Sequence, residues 1–457
     1  MNPRLAVPLL ASLFILPSLA AQDTRNVTQP VIPPVCATLD AQLAAVGNTL
    51  APADESRLDT AHIQEAIDHC AKGHGVLLST HGDDDAFLSG PLQLRAGVTL
   101  IVGKGVTLFA SRDPALYAVS PGSCGIVSHG HGVRGCKPLI SVNHAPNAAV
   151  MGDGTIDGRG GEKILGSQYS WWDLAEQARA GGAQQCFRLI VAEHSNNFTI
   201  YNVTLKNSPN FHVVYGHGNG FTVWGLKINT PQRLARNTDG VDPGPDVRNV
   251  TITHSYLREG DDNVAIKGGL PGGVTNVTVS HDHFYWGHGM SIGSETNGGV
   301  SKVRVYDLSL DGPDNGIRIK SNGSRGGLVQ DVIYDNVCIR NSPNPITLDT
   351  AYTAAGALKG NSPPSMRDIV LHNVRVSGGG KITFNGYDQT HRVAVQLNGV
   401  QITDHDQYKY KVNLADITLG PEPTNLHLPA GNDSTIKGKP AKGHPASCKA
   451  MFVPFPQ

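Results

Sequence analysis

From about residue 140 a short apolar pattern recurs along the chain, often introduced by Asn: Phe198-Thr-Ile, Phe221-Thr-Val, Val250-Thr-Ile, Val277-Thr-Val, Val303-Arg-Val, Val332-Ile-Tyr and Ile369-Val-Leu. The starts lie 23, 29, 27, 26, 29 and 37 residues apart. Runs of three or four residues are too short for helices, and β-branched residues between Gly, Asn and Asp turns favour strands. A period in the twenties fits one coil of a solenoid in which each coil buries its apolar side chains against the next. The pattern therefore predicts an all-β chain folded as a right-handed parallel β-helix. Leucine-rich repeats lack their Leu spacing here, and propeller blades need longer periods. An open solenoid end exposes unpaired strand edges and core, so it needs a cap. Leu58, Ile63, Ala66 and Ile67 fall at helical spacing and predict an N-terminal capping helix near residues 57–71.

Composition narrows this picture. Fifty-three glycines, 6% aromatic and 16% charged residues in 457 suit turn-rich β structure better than long exposed helices. A formal charge of −1 gives no global field for a polyanion, so nucleic acid is not expected as a partner, and an acidic substrate would need a local basic patch. Residues 1–21 carry Arg4, an apolar run through Leu16 and small residues around Ala20, the pattern of an export signal. That run is short and broken by Pro8 and Pro17, so a membrane anchor is disfavoured and a secreted, monomeric product is expected. Residues 22–420 then form the β-helix, and 421–457, with Lys437, Lys439 and Lys442, form an irregular basic tail. Seven cysteines suit an oxidising compartment. Cys124 with Cys136 is the first expected disulfide and Cys36 with Cys70 a second, and the odd total leaves a thiol unpaired.

Polar residues cluster on consecutive coils as Asn237-Thr-Asp239-Gly, Gly260-Asp261-Asp262-Asn263, Gly287-His288-Gly289 and Arg318-Ile-Lys320. Asp239, Asp261, His288 and Arg318 are 22, 27 and 30 residues apart, each step close to one coil. They should stack as a column on one face, with coils about 4.8 Å apart. Three carboxylates so close cannot all ionise comfortably, which leaves one able to give a proton and another able to activate water. That is the requirement for cleaving a glycosidic bond. Arg318 and Lys320 share a strand face and offer a fork and a point charge to a uronic carboxylate. Single aspartates at solenoid turns are usually structural; it is the set that points to catalysis.

In this order the four motifs resemble the polygalacturonase family of glycoside hydrolases, closest to its bacterial endo-acting members. The similarity runs from about Cys124 to Tyr352 and includes Gly154-Thr-Ile-Asp-Gly158, Asn207-Ser-Pro-Asn-Phe-His212 and Gly289-Met-Ser-Ile-Gly-Ser294. The resemblance implies an inverting, endo-acting hydrolysis of polygalacturonate (pectin), without metal or other cofactor. It makes Asp261 the general acid, gives the attacking water to Asp239 and Asp262, and lets His288 assist. It assigns substrate contacts to Asn237, Arg318, Lys320 and Tyr352. Asn263 departs from the cysteine that many members carry there, which bears on a disulfide and not on catalysis.

A pectate lyase would want calcium ligands and a basic proton abstractor, and its products would absorb in the ultraviolet. A rhamnogalacturonan hydrolase is disfavoured by His288, Arg318 and Lys320, and a non-cutting β-helical adhesin by the cost of three converging carboxylates. His281-Asp282-His283 is read as a surface strand rather than a zinc site, and Gly152–Gly158 as a coil turn, because no Lys-Ser or Lys-Thr follows. Trp171 and Trp172 suit either a sugar platform or a core plug.

Overall fold

A computed structural model describes residues 22–129, 134–353, 360–429, 431, 433–444 and 446–456. The export signal read in residues 1–21 lies outside them. The strands stack into a 22-stranded sheet and an 11-stranded sheet whose neighbours pair in parallel, the architecture of a right-handed parallel β-helix. The seven recurring triplets mark its coils in unbroken register: Phe198, Phe221, Val250, Val277, Val303, Val332 and Ile369 are Cα partners in succession. All seven are essentially solvent-free. Each fully buried side chain of this kind contributes roughly 2 kcal/mol. Truncating one in mid-stack, such as Val277→Ala, also leaves a cavity that flanking coils cannot close by collapsing.

The turns explain the recurrent Asn. Asn197, Asn202, Asn249 and Asn276 all take left-handed φ near 60°, which Asn tolerates better than most residues. Their side chains bridge coils: Asn249 Nδ2 donates to Asn219 Oδ1 at 2.8 Å, and Asn276 Nδ2 donates to Asn249 Oδ1 at 3.3 Å.

The helix Thr60–His69 caps the first coils, with Ile63 and Ile67 buried against the core. Leu58, expected in it, precedes the helix and is 39% exposed. At the other end Leu426, Leu428 and Ile436 pack on the core, and Thr435–Lys437 adds a strand to the larger sheet. The segment read as an irregular tail is thus fastened down, and a Cys338–Cys448 disulfide ties it back to the coils. Cys36–Cys70 and Cys124–Cys136 are also closed, and Cys186 is free and buried.

Trp171 and Trp172 open the helix Trp171–Gln177 and are buried, with Trp172 Nε1 donating to Ser208 O at 2.9 Å. They plug the core. His281-Asp282-His283 needs correcting: it spans a turn into the strand His283–Phe284, and Asp282 is fully buried because its carboxylate takes the Ser255 amide at 2.7 Å.

Candidate active site

In the 11-stranded sheet alternate residues face the core, and Ile190, Val213, Val241, Val264, Met290 and Ile317 form one inward row in register. Period-two alternation sends their neighbours outward. Counting along these registers places Asp242, Ala265, Ser291 and Arg318 in one outward row, and Lys267, Gly293 and Lys320 in the next. Asp239, Asp262 and His288 occupy the position two residues before the inward row, where each coil turns into the sheet. The expected single column is therefore two adjoining sets. The acids sit in the turns, and Arg318 and Lys320 reach back from strand positions two coils on.

Asp262 is 2% exposed and takes three donors: Ser291 Oγ at 2.8 Å and Arg318 Nη1 at 3.1 Å on Oδ1, and Lys320 Nζ at 2.6 Å on Oδ2. Burial works to raise its pKa, but the two cations outweigh it and hold the carboxyl below the ordinary range. Arg318 and Lys320 in turn lie 5.2 and 5.1 Å from the Tyr352 ring centroid, so three of the four expected substrate contacts meet at one edge of the acids.

Asp261 precedes the strand Val264–Ile266 in the turn opened by Gly260, which lets adjacent aspartates reach one cleft. Its Oδ1 meets His288 Nδ1 at 3.0 Å, and the His288 amide donates to its carbonyl at 2.7 Å. His288 Nε2 lies 3.4 Å from Asp314 Oδ2. Burial opposes charge on the imidazole, but these two carboxylates push its pKa up to about 10, while burial of Asp261 is outweighed by His288 and its pKa falls. The flanking glycines are required: with φ of 128° and 77°, a Cβ at Gly287 would strike Asn263 and one at Gly289 the Asn315 carbonyl.

Asp239 shares an ammonium with a residue not singled out from sequence. Lys267 Nζ donates to Asp239 Oδ2 at 2.7 Å and to Asp242 Oδ2 at 2.6 Å. Two buried carboxylates with one cation retain a proton longer than usual: burial, only partly offset by Lys267, raises Asp239 well above the ordinary value and brings Asp242 to about 6. Oδ1 of each has no hydrogen-bond partner among the described residues. His212 holds this turn. Its Nδ1 lies 3.1 Å from the carbonyls of Thr238 and Asp239, so it carries the hydrogen, and Nε2 accepts from Thr230 Oγ1 at 2.8 Å. Asn237 is half-buried at the entry to the turn with φ 55°, and its side chain makes no hydrogen bond among the described residues.

Beneath the Asp261-Asp262 turn, Asn263 ties the coils together by hydrogen bonds. Its amide donates to the fully buried Glu259 and to Trp286 O at 3.0 Å, and its Oδ1 accepts the Gly289 amide at 2.9 Å. This links the acid turn to the His288 turn. Asp261, Asp262 and His288 have ligand atoms within 4.8 Å of one another, a possible metal set. Arg318 and Lys320 already neutralise Asp262, so a cation would have to displace them, and the donor chemistry does not fit a metal.

Asp242 and Lys267 come into view only once the rows are aligned: counting back from Arg318 and Lys320 lands on Ser291 and Gly293, then on Ala265 and Lys267, and a third coil back on Asp242.

The sequence model of glycosyl hydrolases family 28 matches residues 88–418. An endo-polygalacturonase of Pectobacterium carotovorum subsp. carotovorum is 41% identical over 393 residues, 86% of this chain and 92% of that protein. A polygalacturonase of Ralstonia nicotianae is 36% identical over 498 aligned residues, covering 94% of this chain and 92% of the relative. The solved polygalacturonase from Erwinia carotovora ssp. carotovora matches with a TM-score of 0.80 at 40% identity, over 87% of this chain and all of that one.

Proposed function

This chain belongs to glycosyl hydrolases family 28, and we propose that it is an exported endo-polygalacturonase that hydrolyses α-1,4-galacturonosidic bonds with inversion. The observation that carries the reading is the convergence of Asp239, Asp261 and Asp262 beside two cations, Arg318 and Lys320, suited to a uronate carboxylate. Neutral sugars have no use for such a pair.

Asp261 gives its proton to the glycosidic oxygen as the C1–O bond breaks. Water held by Asp262 and Asp239 adds to C1 from the opposite face, and ionised Asp262 takes the proton that water loses. In the free protein the proton of the Asp261–His288 pair rests on the imidazole. A uronate arriving at Arg318 and Lys320 neutralises charge that keeps Asp261 ionised, so the proton moves from His288 to Asp261 when substrate binds. Tyr352 flanks the uronate and Asn237 lines the entry. Asp261→Asn tests this: turnover on polygalacturonate falls about 10³-fold while binding persists. Unchanged turnover would remove Asp261 from the role.

A second reading exchanges the acid and water-holding roles, because burial raises Asp239 whereas Asp261 is lowered. An oligogalacturonide with an aryl leaving group separates them, since a good leaving group spares only a variant that lacks the proton donor. Endo action is supported by the similarity to the Pectobacterium endo-polygalacturonase, and the size distribution of early products checks it.

A further inference from the structure

The row that holds the catalytic acids does not begin with them. The position two residues before the inward row is Arg188 on the coil of Ile190, then Phe211, Asp239, Asp262 and His288 on the coils that follow. Arg188 thus stands in the same file two coils before Asp239, about 10 Å away at the usual strand spacing. Arg318 and Lys320 stand two coils beyond Asp262. The acids are flanked by basic groups on both sides.

The setting of Arg188 is that of an unanswered cation. Its guanidinium lies over the Phe211 ring at 4.6 Å, on a shelf that also carries Lys267 Nζ at 4.0 Å from the centroid. Nε donates to Asn210 Oδ1 at 3.4 Å. No carboxylate among the described residues lies within ion-pair reach of it. Burial, reinforced by the nearby charge of Arg134, draws its pKa down to about 10, and Asp242, Asp239 and Glu193 act on it only from a distance. A half-buried charge in that state is costly unless an anion completes it. Beside it opens a pocket of about 280 Å³ lined by Arg134, Gln184, Gln185 and Asn210 as well as Arg188. That lining offers hydrogen-bond donors and no acid.

We propose that Arg188, seated on Phe211, binds the carboxylate of a second uronate unit, on the side of the acids that faces the N-terminal coils. This rests on the substrate reading above and extends it: one chain of the polymer is held at both ends of the acid row, and the intervening bond is drawn across Asp239, Asp261 and Asp262. A guanidinium fork reads a carboxylate bidentately, whereas a methyl ester or neutral sugar would leave it unanswered.

The test compares the native protein with Arg188→Gln and Arg188→Lys on galacturonate oligomers from three to eight units, recording kcat/KM and the first cut in the octamer. With Arg188→Gln the ratio of octamer to trimer kcat/KM falls about tenfold, the equivalent of 1.4 kcal/mol. The first cut moves along the octamer, and Arg188→Lys recovers part of both. A penalty equal at every length would mean that Arg188 only supports the Phe211 shelf, and no penalty would remove the subsite. Either result overturns the inference. Failure of the native protein to hydrolyse polygalacturonate would instead overturn the substrate reading, so the two failures are distinct.

Discussion

Asp262 and Asp282 lie twenty residues apart and are 2% and 0% exposed, yet they answer burial in opposite ways. Asp282, in the turn before a strand of the larger sheet, receives only neutral donors from Ser255 and its neighbours, and burial drives its pKa up to about 8. Asp262, in the turn before a strand of the smaller sheet, receives Arg318 and Lys320 and stays ionised. Burial alone does not mark a catalytic carboxylate. Cations supplied from later coils separate the acid proposed to take the proton of water from one that holds a turn. Between these extremes stand Asp239 and Asp242, which share Lys267 and are neither fully compensated nor left alone.

The largest effect should come from removing the compensated charge itself. Asp262→Asn is expected to lower kcat about 10³-fold in steady-state assays on polygalacturonate, because the amide cannot take the proton of the attacking water. Lys267→Met should come next. It strips the shared cation from Asp239 and Asp242, raises both pKa values further and moves the acid limb of the pH–rate profile to higher pH. At a fixed pH on that limb, activity should drop roughly tenfold for every pH unit the limb moves. An unmoved limb would show that the ammonium does not tune these acids.

The row geometry also shows how much of this was legible beforehand. The triplets from Phe198 to Ile369 fixed both period and register, since identical inward chemistry on every coil admits a single stacking. The motif residues with unusual chemistry were equally visible. Lys267 and Asp242 were not, because Val-Ala-Ile-Lys267 and Gly-Val-Asp242 read as ordinary strand ends until the outward rows are aligned with Arg318 and Lys320. Asp282 reads as a surface residue because His281 and His283 suggest alternation, whereas the chain turns there and folds the carboxylate inward.

Smaller effects concern stability. The folded pKa of Asp282 lies above its unfolded value, so native stability is lost as pH rises from about 4 towards about 8. Asp282→Asn has no such dependence. Its melting temperature relative to the native protein should climb across that range, with turnover unchanged; a constant difference would mean that the acid is ionised when folded. His288 is likewise raised, to about 10, so its contribution is full below pH 6.5 and fades towards pH 10. The gap in melting temperature between native protein and His288→Asn should narrow over that interval.

The most direct measurement records reducing ends and ultraviolet-absorbing unsaturated ends together while the purified protein acts on polygalacturonate. Hydrolysis by Asp239, Asp261 and Asp262 predicts that reducing ends accumulate without any rise in absorbance, before and after treatment with a chelator. Absorbance growing in step with chain cleavage, and abolished by the chelator, would contradict it.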